Sequence, residues 1–250
     1  MHPTHPDPAN VYQRLRGLIR DRVWNNSSRV HLDQFARDAA ASVSVGARVL
    51  DAGAGIAPYR GHFTHTRYET ADFHAVEKEY GDTDYVCDLR AIPVPDCTFD
   101  GVLLTQVLEH TPDPHRVLSE LHRVLVPGGT LWLTAPLFYP EHEQPYDFYR
   151  YTQFGFRYQL EAAGFAIRDI RWLEGYAGTV SFQLKEAVLK LPAAPANYGG
   201  GVVGLMCAAA VALARVPLFL LASLLSSADV RHRHSTSGHC KNYAIVAEKV

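Results

Sequence analysis

The chain is expected to fold as an α/β protein around a doubly wound, largely parallel sheet. Three observations carry this. Apolar strand-like runs alternate with helical spacing between residues 48 and 135, the rhythm that gives right-handed crossovers and a parallel sheet. Phe99-Asp100-Gly101-Val102-Leu103-Leu104-Thr105 is almost continuously apolar, as a strand covered on both faces must be. The first strand-like runs also end in polar residues, with Asp51, Asp72, Asp88 and Thr105 in those places. In open α/β sheets that edge holds the ligand.

Composition narrows the class before any motif is used. The 250 residues are 47% hydrophobic and 20% charged, enough apolar material for a buried core and too little charge for global disorder. Lys plus Arg number 24 against 26 Asp plus Glu, so there is no broad basic footprint for nucleic acid. Cys87, Cys97, Cys207 and Cys240 are scattered without a Cys-x-x-Cys pair, which fits reduced thiols in cytoplasm.

Residues 1–9 lack a basic-then-apolar signal pattern and are expected to be a disordered leader. Val11, Leu15, Leu18, Ile19 and Val23 predict a helix over 10–24, and Val30, Leu32, Phe35, Ala36 and Ala39 predict another over 29–43. Together they make an N-terminal helical cap over 10–44. Arg14, Arg16, Arg20, Arg22 and Arg29 form a basic face that is either solvated or turned toward an anionic partner.

The first strand, Arg48 to Ala52, runs into Gly53-Ala54-Gly55. Glycines there let the backbone turn sharply and approach a ligand where a Cβ would collide. Gly-x-Gly alone is a weak signal, but a second strand, Tyr68 to Asp72, ends in a carboxylate twenty-one residues beyond Asp51. In a strand-helix-strand unit of this size that acid faces a ribose, unless it is a surface turn residue. Tyr85 to Leu89 is a third strand-like run and Phe99 to Thr105 a fourth. A helix over 114–125 carries Val117, Leu118, Leu121, Val124 and Leu125 on one face and stops at Pro127-Gly128-Gly129, before a fifth strand from Thr130 to Ala135. Pro136 to Thr152 is aromatic and ionisable and is expected to cross the ligand edge as a lid. A helix over 152–163, a strand from Phe165 to Trp172 and a last strand from Lys241 to Lys249 complete seven strands.

With these residues in order, the chain resembles a class I S-adenosylmethionine-dependent methyltransferase from about Gly46 to Trp172 and again at Asn242-Tyr-Ala-Ile-Val-Ala-Glu-Lys. The resemblance implies a Rossmann-like domain with a reversed last strand, over 45–175 and 240–250, and S-adenosylmethionine as cofactor. It implies that Asp51, Gly53 and Gly55 hold the methionine part, Asp72 the ribose and Asp88 the adenine side, with Leu89 supplying adjacent backbone and Gln106 bordering the cofactor. The family's third glycine is Ala57 here. A nicotinamide dehydrogenase, the competing assignment, requires Gly-x-Gly-x-x-Gly, whereas Pro58 stands at the third glycine's place. A cofactor-binding scaffold without catalysis is the other alternative.

Transfer to oxygen or nitrogen requires a proton acceptor. His142 is the first candidate base, with Glu143 as its orienting partner or alternate, and His110 a weaker candidate. Asp147, Tyr149, Arg150 and Tyr151 are expected to shape the substrate pocket, Arg150 by gripping an anionic group; capping the next helix and stabilising the lid is the competing role for this stretch. The expected acceptor is a small molecule, sugar or lipid-linked intermediate, methylated on oxygen. Among the thirteen histidines, His232, His234 and His239 lie near Cys240 without a recognisable zinc spacing, so no metal is expected.

Residues 176–239 form an apolar insertion. Its stretch 199–227 is long enough to span a bilayer, but Arg215 near the middle would cost about 2.5 to 3.5 kcal/mol or more. A single crossing would also strand the last strand on the far side. A helical hairpin bent at Pro217 resolves the topology, since both ends return to the sheet, and 199–227 then meets the inner face of a membrane peripherally, a second copy of the chain, or an apolar substrate. No nucleic-acid partner is expected, and the expected location is cytoplasmic.

Overall fold

A computed structural model describes residues 26–74, 79–235 and 238–250. The expected leader over 1–9 and helix over 10–24 lie outside the described residues. The chain divides into two compact units: a sheet unit of residues 31–173 and 235–250, and a helical unit that includes residues 26–30 and 174–234.

The sheet unit is built on β1 (Arg48–Ala52), β2 (Arg67–Asp72), β3 (Tyr85–Val86), β4 (Phe99–Thr105), β5 (Leu125–Pro136), β6 (Phe165–Trp172) and β7 (Asn242–Lys249). The strands form one sheet in the order β3-β2-β1-β4-β5-β7-β6. The β1 strand pairs in parallel with β2 and β4, and β4 with β5. The last strand lies antiparallel between β5 and β6, so the expected seven strands and the reversed final one are present.

Alternation along each strand explains why both faces are covered. Leu50, Val102, Leu104, Leu131, Leu133 and Ile245 enter one apolar cluster, while Val49, Leu103, Trp132 and Ala244 enter the other. Successive strand side chains point to opposite faces, so a strand apolar on both faces reads as an unbroken apolar run. The first cluster is closed by α2 (Pro114–Val124) and α3 (Gln153–Ala162) through Val117, Leu118, Leu121, Phe156 and Leu160. The second is closed by α1 (Ser27–Ala41), whose Phe35, Ala39 and Ala40 are buried.

The helix ends follow local chemistry. Asp113 caps α2 by accepting from the Arg116 amide at 3.1 Å, with Pro114 at the first helical position, where a missing N–H costs nothing. Thr152 caps α3 by accepting from the Gly155 amide. The α1 helix begins two residues earlier than its apolar spacing indicates, because the Asn26 side chain accepts from the Ser28 amide.

Two strands differ from expectation. The third is only Tyr85–Val86, because the Asp88 side chain accepts from the Arg90 amide at 2.9 Å and turns the chain out of the sheet. The fifth begins at Leu125 rather than Thr130, directly after α2, and carries Pro127-Gly128-Gly129 within it. A register shift opposite Phe99 and Gly101 accommodates the extra residues.

In the helical unit, the expected bend at Pro217 is absent. Residues Gly201–Arg231 form one continuous helix, α5, and the hairpin is made instead with the preceding α4 (Tyr176–Lys190). Proline in a helix interior forfeits a hydrogen bond, but side chains tie the pair together on both sides of it. Ser181 Oγ donates to the Ala222 carbonyl at 2.6 Å, Asp229 accepts from the Gly175 amide at 2.9 Å, and Arg215 donates to the Leu191 carbonyl at 2.7 Å. Much of α5 is nevertheless uncovered: its most apolar 18-residue window has a mean hydropathy of 2.2 and is only 11% buried. Val202, Leu205, Met206, Leu213, Val216, Leu220 and Leu224 are exposed.

Candidate active site

The sheet order reverses between β1 and β4, where β2 lies to one side of β1 and β5 to the far side of β4. A crevice opens outside the carboxyl ends of strands at such a switch point, and the site is built there, within the sheet unit. Gly53 follows β1 with φ +78° and Gly55 with φ +55°, and Ala57, at the third glycine's place, also has a positive φ of +51°. The amides of Gly53 and Ala54 both donate to the Ala71 carbonyl, at 2.7 and 3.2 Å, folding the turn back onto β2. A Cβ added to Gly53 would lie 2.4 Å from Val107 Cγ2, so side-chain crowding as well as backbone conformation requires glycine there.

Asp72, at the end of β2, accepts from the Gly55 amide at 2.8 Å and from the His74 amide at 3.2 Å. It shares a cavity wall with Gly53, Asp88, Leu89 and Gln106. The Arg90 guanidinium reaches both oxygens of Asp88 at 2.6 to 3.1 Å and lowers its pKa. Gln106 has φ +56° and donates from its side-chain amide to Thr134 Oγ1 at 3.2 Å.

Asp51 stands behind this wall. It is 1% exposed and accepts a short hydrogen bond from the Tyr68 hydroxyl. Burial raises its pKa to about 7 against the opposing pull of the Tyr68 bond, with Asp72 adding to the rise. It lies outside the cavity lining, and its side chain faces Tyr68.

The far end of the cavity is formed by His110, Thr111, Pro112, Glu143, Tyr146 and Phe148. The loop after β5 reaches it because the amides of Phe148 and Tyr149 donate to the Glu109 carbonyl at 2.9 and 3.3 Å. His110 Nδ1 lies 2.5 Å from the Tyr146 carbonyl, and burial lowers its pKa despite that contact. His142 is one layer back, its ring packed edge-on against His110 and Tyr139. Its partner is Asp147, which accepts from the His142 amide at 2.9 Å, and Glu143 faces the cavity in its stead.

The four expected substrate residues lie outside the lining. Arg150 grips Asp147 through two bonds of 2.6 and 2.8 Å and donates to the carbonyls of Tyr139, Pro140 and Tyr149. That pairing holds the nearly buried Asp147 well below the usual carboxylate range. Tyr149 donates to the Pro112 carbonyl at 3.2 Å, and Tyr151 is buried against Phe156. Spacing alone had not singled out Phe73, Tyr80, Arg90, Val107, Tyr146 or Phe148, all in the lining. Phe73, Arg90 and Val107 each adjoin a residue that was singled out, and Tyr146 and Phe148 lie in the aromatic loop expected to cross the ligand edge, whereas nothing in the sequence marks Tyr80.

A carboxylate bound to a glycine turn, in the switch-point crevice of a seven-stranded sheet with a reversed last strand, is the arrangement of a class I S-adenosylmethionine-dependent methyltransferase domain. Comparison with known proteins agrees: residues 50–133 match the family described as Methyltransferase domain. A probable S-adenosylmethionine-dependent methyltransferase of Mycolicibacterium smegmatis is 28% identical over 176 residues, covering 65% of this chain and 66% of that protein. This chain therefore spans just under two thirds of that relative's length. Demethylmenaquinone methyltransferase of Lysinibacillus sphaericus is 24% identical over 212 residues, covering 76% of this chain and 84% of that protein. Among solved structures, the 1,6-didemethyltoxoflavin-N1-methyltransferase of Burkholderia thailandensis, holding its substrate and S-adenosylhomocysteine, superimposes with a TM-score of 0.53 at 16% identity, over 100% of this chain and 93% of that one. At that identity the likeness is one of fold. The sheet unit is a methyltransferase domain whose cofactor is S-adenosylmethionine.

Proposed function

We propose that the chain transfers the methyl group of S-adenosylmethionine to an oxygen of a small molecule, sugar or lipid-linked acceptor. The observation that supports this most is the continuity of one cavity from Asp72 and Asp88 to His110, Glu143 and Tyr146. Asp72 would hold the ribose of the nucleoside and the Gly53 turn the methionine part. The methyl group would then be presented toward His110, Glu143 and Tyr146, where the acceptor would bind.

In-line transfer breaks the sulfur–methyl bond with its electron pair going to sulfur, while an acceptor oxygen lone pair forms the new bond. Most of the protein's contribution is alignment of these three atoms. The oxygen also loses a proton, and Glu143, on the cavity wall, receives it. His142 and Asp147 hold the loop that carries Glu143, and Arg150 shapes the pocket by fixing that loop.

The exposed apolar helix supports a cytoplasmic enzyme that meets the inner membrane face. Gly201–Arg231 is about 46 Å long at 1.5 Å per residue, longer than the roughly 30 Å hydrocarbon core. Its partner α4 is about half that length, too short to bring the chain back across. The hairpin therefore lies in one leaflet rather than spanning both, which suits an amphipathic acceptor. The demethylmenaquinone methyltransferase relative favours a second reading, transfer to carbon of a quinol-like ring. Incubation with methyl-labelled S-adenosylmethionine and a panel of phenols, sugars and quinols separates the two by the atom labelled. Cofactor binding without labelling of any acceptor class would leave the scaffold alternative standing.

A further inference from the structure

Methyl transfer gives no reason for one carboxylate in the core of the sheet unit. Glu109 is fully buried, and apart from its own backbone amide neither side-chain oxygen has a hydrogen-bond partner. An isolated buried carboxylate is costly unless a cation or hydrogen-bond donors meet it. Arg150 does not meet it, since its guanidinium is committed to Asp147 and to loop carbonyls.

Two imidazoles stand beside it. We propose that Glu109, His110 and His142 bind a divalent first-row transition cation at the acceptor end of the cavity. Among the described residues, one ligand atom from each of the three lies within 4.8 Å of the others. Metal–ligand distances of about 2.0–2.2 Å place donor atoms roughly 3 Å apart, so the group closes by less than about 2 Å. Two of the three already approach closely, with His110 Nε2 3.7 Å from Glu109 Oε1.

Both rings are oriented as metal ligands are. His110 Nδ1 is engaged by the Tyr146 carbonyl, and His142 Nδ1 lies 3.2 Å from the Pro140 carbonyl and 3.3 Å from Asp147 Oδ2. A proton held on Nδ1 by an oxygen leaves the Nε2 lone pair for a cation, and a carboxylate behind the ring is the usual support. Two nitrogens and one carboxylate favour zinc or iron over magnesium or calcium, which take oxygen donors.

Since His110 lines the cavity, the ion borders the acceptor and keeps open coordination positions toward it. A hydroxyl bound there is acidified. Its proton passes to Glu143, its oxygen takes the methyl group, and the ion changes neither charge nor oxidation state. The acceptor class this selects is one that chelates, with vicinal hydroxyls or a hydroxyl beside a carbonyl. His142 is then a ligand rather than the base. This use of the ion rests on the proposed methyl transfer, whereas the binding itself does not.

The test is titration of the full chain, stripped of metal by a chelator, with Co2+ alone, followed by calorimetry and by the visible ligand-field bands. S-adenosylhomocysteine binding is measured on the same samples. One equivalent is expected, weakened at least tenfold by His142→Ala and by Glu109→Gln and unchanged by His239→Ala. Protein that binds S-adenosylhomocysteine but takes up no Co2+, or a His142→Ala variant that binds Co2+ as wild type does, overturns the proposal. Should Glu109→Gln fail to fold, His142→Ala, on the loop, decides the matter alone. Uptake of Co2+ without S-adenosylhomocysteine binding supports the metal site and counts against the methyltransferase reading.

Discussion

The Asp72 carboxylate accepts a hydrogen bond from the Gly55 amide at 2.8 Å, which ties the end of β2 to the glycine turn after β1. One side chain thus fixes the turn and presents its charge to the crevice. Asp72→Ala removes both functions. Hydrogen bonds to a charged group contribute about 1.5–3 kcal/mol, so S-adenosylhomocysteine affinity measured by calorimetry is expected to fall roughly ten- to a hundredfold, with Asp72→Asn intermediate. Equal affinity for Asp72→Ala and wild type would remove Asp72 from the site.

The two glycines of the turn are expected to differ. A Cβ on Gly53 meets Val107 at 2.4 Å, whereas one on Gly55 meets nothing within 4 Å. Both positions have positive φ, which costs an L-residue about 1–2 kcal/mol, and crowding adds about 1–3 kcal/mol at Gly53 alone. Denaturant midpoints should therefore rank wild type above Gly55→Ala and Gly55→Ala above Gly53→Ala. Identical losses would show that Val107 yields.

Asp51 makes stability depend on pH. Its folded pKa of about 7 lies above its unfolded value, chiefly through burial. The native state therefore holds a proton that the unfolded chain releases first. The associated stability is full below the unfolded value near 3.9 and is lost as pH rises toward 7. Thermal unfolding of wild type and Asp51→Asn, which keeps an acceptor for Tyr68, is expected to show wild type losing ground between pH 4 and 7. A constant difference across that range would place the Asp51 pKa elsewhere.

Arg150 serves the loop in this structure, not the cavity. Removing it leaves Asp147, whose side chain is 4% exposed, without its bidentate partner. Arg150→Ala is expected to cost about 3–5 kcal/mol, and Arg150→Lys to recover only part of it, because an ammonium cannot match the fork. If Arg150→Ala keeps its stability but raises the KM for an anionic acceptor, Arg150 is a direct substrate contact.

The exposed face of α5 is expected to bind anionic vesicles. Leu213→Glu combined with Leu220→Glu places charge on residues that are 78% and 57% exposed. Flotation with phosphatidylglycerol vesicles should lose most of the bound fraction while S-adenosylhomocysteine affinity is unchanged. Wild-type protein that stays off vesicles and sediments as a dimer assigns this face to a second copy.

Patterns confined to a few neighbouring residues were sufficient for the sheet. The apolar runs at Val49-Leu50 and Val102-Leu103-Leu104 appear as strands buried on both sides, because period-two alternation between two clusters leaves no polar positions. Gly53, Asp72, Asp88, Leu89 and Gln106, each closing or following a strand at a fixed edge, share one cavity wall in the structure. Pro217 was misleading: local propensity marks a break there, and hydrogen bonds from residues far away in sequence keep the helix whole.

By itself, the sequence determined the strand order's raw material, the glycines and carboxylates that close the strands at one end of the crevice and the apolar character of α5, all of which depend on local spacing. Only the tertiary structure decided the other end. Whether Arg150 faces a ligand or Asp147, and whether Glu109 meets His142, depends on how one irregular loop folds back on the chain after β4. Loop conformation follows from backbone hydrogen bonds such as those from Phe148 and Tyr149 to the Glu109 carbonyl, which every residue type but proline can donate and which therefore leave almost no mark in the sequence.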